Sequence, residues 1–177
     1  ILDIYKEYKI MSNLAEHQLR VAGVAMQICD ALGDEVEVDR DSIVKACLLH
    51  DMGNIIKFKL DYFPEFLEPE GLDYWQNVKD EYIEKYGKDE HHATLEIAKE
   101  LAMNEKVINN VDAVGFSNWC NVNENGNWSQ KISVYADTRV APKNVVDLKG
   151  RLKDGAERYK GTDLEIEPKR DLLYSCI

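Results

Sequence analysis

Apolar residues in this chain recur at three- and four-residue steps over long stretches that neither proline nor glycine interrupts. That spacing places them on one stripe of an α-helix, whereas a half-buried strand needs strict alternation, and no segment alternates convincingly. Leu14, Val21, Val24 and Ile28 form one such stripe. Ser12 or Asn13 can cap it and Gly33 can stop it, so a helix is expected over 12–32. A second is expected from Ser42 to about Met52, capped by Asp39 or Asp41 and ended by Gly53. Further helices are expected over 72–86, 88–103, 105–114, from a Ser129 cap to about Ala141, and over 145–159. The stretch 54–71 holds aromatic residues and two prolines without a clean period, and reads as an irregular insertion. Asn118 to Asn127 is polar and reads as a loop, and 161–177 as a C-terminal tail. With 177 residues, the whole reads as one all-α domain, a single helical bundle with its core over about 12–160.

Charge narrows the function. The chain has 33 acidic and 22 basic residues, a net charge of −11. Such a surface repels nucleic acid and anionic membranes unless a basic patch overrides it, and no basic patch is present in the sequence. No run of apolar residues is long enough to span a bilayer. Ile1 to Ile10 carry charges throughout and lack the apolar core of a secretory leader. The cysteines (Cys29, Cys47, Cys120 and Cys176) form no closely spaced pair, and Cys29 and Cys47 fall in apolar helical segments. Reduced thiols and a cytoplasmic protein are expected.

The chemistry is sought among polar residues that fall on buried stripes. His17 shares a face with Val21, Val24 and Ile28; His50 follows Ile43 and Cys47. Asp51 lies on the row of Val44 and Leu48, Asp137 on that of Ser133, Val134 and Val140, and His91 on that of Thr94 and Ala98. An isolated carboxylate on an apolar face costs several kcal/mol. Two such aspartates on different helices need a shared positive partner, and no Lys or Arg occupies a matching core position. One divalent cation held by His17, His50, Asp51 and Asp137 satisfies all four; Mn, Fe, Co, Ni, Zn or Mg are the candidates. Neighbours on a helix point about 100° apart, so His50 and Asp51 reach one ion only near a helix end, which Gly53 supplies.

Three stretches carry a resemblance: Asn13-Leu-Ala-Glu-His17-Gln-Leu-Arg20-Val21, Ala46-Cys-Leu-Leu-His50-Asp51-Met-Gly53, and Lys131-Ile-Ser-Val-Tyr-Ala-Asp137-Thr-Arg139-Val140. In order and setting they resemble the HD-domain superfamily of metal-dependent phosphohydrolases, over most of the chain from Ser12 to Val140. The resemblance implies a helical bundle with the metal between helices, and His17, His50, Asp51 and Asp137 as ligands. It matches a further functional histidine best to His91, with His92 as second choice. Two-metal relatives carry another histidine shortly before the final Asp helix; here Ala113 to Asn118 contains none, which argues against a second metal. Asn54 stands where many relatives have Lys or Glu.

The expected reaction is hydrolysis of a small phosphate ester, most naturally a nucleotide, by water that a bound cation acidifies. Asp51 would orient the nucleophile, and Arg20, one turn from His17, would hold a phosphate oxygen. His91, or His92, would hydrogen-bond the phosphate or protonate the leaving oxygen. Lys57 and Lys59 would steer the phosphate, while Arg139, about 200° round from Asp137, reads as structural. Tyr62, Phe63, Phe66 and Trp75 either stack on a base or form a packed satellite cluster. Two alternatives stand beside this reading: a catalytically degenerate module that binds metal and nucleotide, and an iron-dependent oxygenase of the same superfamily.

Overall fold

The computed structural model describes residues 1–159 and arranges them as helices joined by short turns. In chain order these are α1 (Leu2–Glu7), α2 (Ser12–Leu32), α3 (Arg40–Leu49), α4 (Leu72–Tyr86), α5 (Glu90–Glu100), α6 (Glu105–Val114), α7 (Trp119–Asn125), α8 (Trp128–Thr138) and α9 (Leu148–Tyr159). Among the described residues the extended backbone pairs only in an isolated antiparallel bridge between Val140 and Val145. The all-α expectation holds. The tail from 161 lies outside the described residues.

Side-chain caps start four of the described helices, α3, α5, α6 and α8. Asp39 caps α3 by accepting from the Ser42 N–H at 3.1 Å, Asp89 caps α5 from His92 N–H at 2.7 Å, and Asn104 caps α6 from Val107 N–H at 3.0 Å. Gly33 and Gly87 end α2 and α4 at φ of 53° and 87°, a region that glycine enters without a Cβ penalty.

Several boundaries differ from the sequence reading: α5 and α9 are shorter than the expected 88–103 and 145–159, and α8 ends at Thr138 rather than near Ala141. α3 stops at Leu49 rather than Met52, because side chains claim the two groups that would extend it. His50 Nδ1 donates to the Cys47 carbonyl at 2.8 Å, and the Asp51 N–H donates to Gln18 Oε1 at 3.3 Å. The polar stretch expected to be a loop contains α7, anchored by buried Val122 and by Trp119 Nε1, which donates to the Val114 carbonyl at 3.0 Å. α8 begins at Trp128, capped not by Ser129 but by Asn127 in a reciprocal capping box with Gln130. The charged first residues form α1, fixed by buried Tyr5, whose hydroxyl donates to the Leu48 carbonyl at 2.7 Å. The irregular insertion is as expected, with two 3₁₀ turns at Asn54–Lys57 and Pro64–Phe66.

α3 is central and packs on α2, α6 and α8, while α2 also packs on α8. One apolar cluster gathers Val21, Ala25, Ile43, Cys47, Ile132 and Ala136. Another gathers Leu14, Leu49, Met52, Val78, Ile97 and Val111. Burial of each such large side chain stabilises the fold by about 1.5–3 kcal/mol. Along α2 the clusters meet between Leu14 and Val21, which is where His17 and Gln18 stand. Cys29 and Cys47 are free buried thiols, as read from the sequence, but Cys120 is in a disulfide. That corrects the expectation of reduced thiols throughout, and thiol state lends no support to a reducing compartment. Among the described residues no helix is long and apolar enough to cross a membrane.

Gly53 locks the turn after Asp51 onto α5. Its N–H donates to Thr94 Oγ1 at 2.9 Å, and a Cβ there would press on the Glu90 carbonyl and come 2.8 Å from Ala93 Cβ. Gly53→Ala is therefore expected to lower stability by about 1–3 kcal/mol in urea unfolding.

Candidate metal centre

Four side chains converge from three helices. His17 comes from α2, His50 is the C-cap of α3 with Asp51 next to it, and Asp137 lies in the last turn of α8. His17 Nε2 is 3.0 Å from Asp137 Oδ1, 3.3 Å from His50 Nε2 and 3.6 Å from Asp51 Oδ2. His50 Nε2 is 3.4 Å from Asp137 Oδ1 and 3.6 Å from Asp51 Oδ2. An ion with ligand bonds of about 2.1 Å sets neighbouring donor atoms roughly 3.0–3.4 Å apart, from octahedral to tetrahedral geometry. The spacing fits. His17, His50 and Asp51 form a group able to hold a metal ion, and Asp137 Oδ1 lies within reach of both imidazoles.

The chemistry of the donors fits as well. A carbonyl only accepts, so the contact with Cys47 puts a hydrogen on His50 Nδ1. This leaves Nε2, in the neutral ring, as a lone pair aimed at the cluster, the disposition of a metal-binding histidine. Burial alone would lower the His50 pKa, but the Asp51 charge and the hydrogen bond and charge of Asp137 outweigh it, and the imidazole is pushed up to about 9. Burial would likewise raise Asp137, but hydrogen bonds from His17 and His50 hold its carboxyl well below the usual range. Metal-free, the cluster thus holds a proton on His50 where a cation would supply the charge. α3 and α8 both present C-terminal ends here, so their dipoles add negative potential that favours a cation. The His50 side chain is 1% exposed and that of Asp51 21%, so the site opens on the Asp51 side.

The other expected residues have different partners. Arg20 is tied to Glu16 at 2.6 Å and to the Pro142 carbonyl at 3.1 Å. His91 Nε2 lies 3.0 Å from Asp112 Oδ1, its ring closing on Gly115, where a Cβ would come within 2.7 Å. His92 is exposed and serves α5 through its N–H at the cap. Lys57 Nζ is 3.5 Å from Glu90 Oε1 and Lys59 Nζ 3.4 Å from the Tyr62 hydroxyl. Arg139 is structural as read: its Nε donates to the Val146 carbonyl at 2.6 Å. Trp75 is buried and donates to the Leu67 carbonyl at 3.1 Å, so it belongs to the packed cluster and offers no stacking face; Tyr62 and Phe63 are exposed. Sequence reasoning missed Asp112 as the partner of His91, and missed Gln18. The signal for Gln18 was present, four residues after Leu14 and three before Val21 on the buried stripe.

The HD domain family matches residues 14–114, more than half of the chain. The matched stretch includes His17, His50, Asp51 and His91 and ends before Asp137, which geometry alone brings to the cluster. No curated protein and no solved structure matches the chain.

The metal-free protein carries a pH signature. His50, raised from 6.5 to about 9, gives stability fully present below pH 6.5 and lost as pH rises through about 9. Asp137, lowered from 3.8, gives stability present above pH 3.8 and lost below it. With chelator present, Tm is expected to decline between pH 6.5 and 9, and a divalent ion to flatten that decline, as calorimetry at several pH values will check.

Proposed function

This chain belongs to the HD-domain family, and we propose that it is a metal-dependent phosphohydrolase acting on a small phosphate ester. The observation that carries the reading is the cluster of His17, His50 and Asp51, whose ligand atoms lie within 4.8 Å of one another, with Asp137 Oδ1 at 3.0 and 3.4 Å from the two imidazoles. A divalent ion bound there would supply Lewis acidity toward a phosphoryl oxygen and acidify water near neutral pH. The chain's own groups do the rest. His50, with its hydrogen fixed on Nδ1 by Cys47, keeps Nε2 directed inward. Asp51, on the open side, accepts a proton or hydrogen bond from the attacking water. His91, oriented by Asp112, donates to a phosphate oxygen or to the leaving oxygen.

A nucleotide is the proposed substrate class. Tyr62 and Phe63 are exposed in the segment that follows the metal turn, alongside Lys57 and Lys59. The net charge of −11 favours a small phosphate over a polyanion.

A second reading has one observation in its favour. Arg20 and His91 are both engaged by carboxylates, which suits a module that binds metal and nucleotide without turnover. A panel of nucleotides and phosphate monoesters, assayed for phosphate release with Mn, Co, Ni, Fe, Zn or Mg, separates the two. Turnover is expected, abolished by chelation and restored by one of these ions. His50→Ala, Asp51→Ala and Asp137→Ala are each expected to lose on the order of 100-fold or more while remaining folded. Metal-loaded protein that binds a nucleotide but hydrolyses nothing would establish the second reading instead.

A further inference from the structure

Gln18 is fully buried, yet its Nε2 has no hydrogen-bond partner. A buried amide satisfied on one side only is disfavoured relative to an apolar side chain of the same length. Packing therefore does not account for a glutamine at this position. What the side chain does make is the bond from the Asp51 N–H to Oε1, at 3.3 Å. In a continuing helix that N–H would pair with the Cys47 carbonyl four residues earlier. Here the same carbonyl accepts from His50 Nδ1 at 2.8 Å. Gln18 thus keeps the Asp51 N–H away from the acceptor that orients His50. It also stands next to His17 on α2, so it ties the helix of the first candidate ligand to the turn carrying the next two.

We propose that Gln18 is a positioning residue of the metal centre, holding His50 and Asp51 in ligating orientation by ending α3 at Leu49; this rests on the metal reading above. Without its oxygen, the Asp51 N–H competes with His50 Nδ1 for the Cys47 carbonyl, and the His50 ring and the Asp51 backbone lose the bonds that orient them.

The test uses the full chain, freed of metal by chelator and titrated with cobalt(II), read by its visible absorption band and its dissociation constant. Gln18→Met keeps length and volume but has no acceptor of comparable strength for the N–H. Its metal-free Tm is expected to match wild type, its cobalt affinity to fall about 10–100-fold, and its band to shift. Gln18→Glu keeps an acceptor at the same reach and is expected to retain the wild-type band. Should Gln18→Met not fold, Gln18→Ser, too short to reach Asp51, is expected to give the same shifted band. A Met or Ser variant with wild-type affinity and band overturns the role of Gln18 alone. Wild-type protein that takes up no cobalt overturns the metal reading, and this inference with it.

Discussion

Two carboxylates, Asp51 and Asp137, stand beside two imidazoles where the two apolar clusters meet, and the arrangement is tenable only with positive charge among them. A carboxylate drawn out of water loses several kcal/mol of hydration, and its partners must return it. A proton on His50 supplies charge when metal is absent, which is why this imidazole is raised although burial alone would lower it. A divalent cation would supply it in one step, at a point that α3 and α8 already make negative through their C-terminal ends.

The candidate ligands His50 and Asp51 owe their placement to how α3 ends. A helix that continued past Leu49 would bring the Asp51 N–H to the Cys47 carbonyl, the acceptor that His50 Nδ1 now uses. Instead Cys47 takes His50 Nδ1, Gln18 takes the Asp51 N–H, and Gly53 lets the next turn lie flat on α5 against Ala93 and Thr94. The backbone around the two ligands is held on both sides, by α2 and by α5. Rigid elements on either side of a donor pair are what hold a coordination geometry within useful tolerance.

Much of this was legible in the residues. The stripe of α2 and the glycine ends of α2 and α4 follow from spacing and capping alone, and α2, α4 and α6 fall on the expected bounds. His17, His50, Asp51 and Asp137 could be found because polar groups on apolar stripes demand partners. The end of α3 could not be read: it depends on Gln18, a contact thirty-three positions away in sequence. α7 was hidden because its asparagines mask the two inward residues, Trp119 and Val122, that anchor it. The surroundings of His91 and Arg20 were equally out of reach. Asp112 sits on another helix, and the Pro142 carbonyl belongs to the turn after α8. Periodicity reports which face is buried, not which neighbour occupies it.

Cys47 gives the site a chemical character of its own. Its carbonyl serves His50, but its thiol is fully buried and, with burial the largest influence and Asp137 adding to it, is pushed up to about 12. A thiol held protonated reacts little with oxidants and alkylating agents. The group able to hold a cation is formed by His17, His50 and Asp51 and does not include this sulfur, although Cys47 belongs to the same turn of helix. The candidate centre thus offers nitrogen and oxygen, a donor set suited to borderline and hard divalent ions rather than to copper(I).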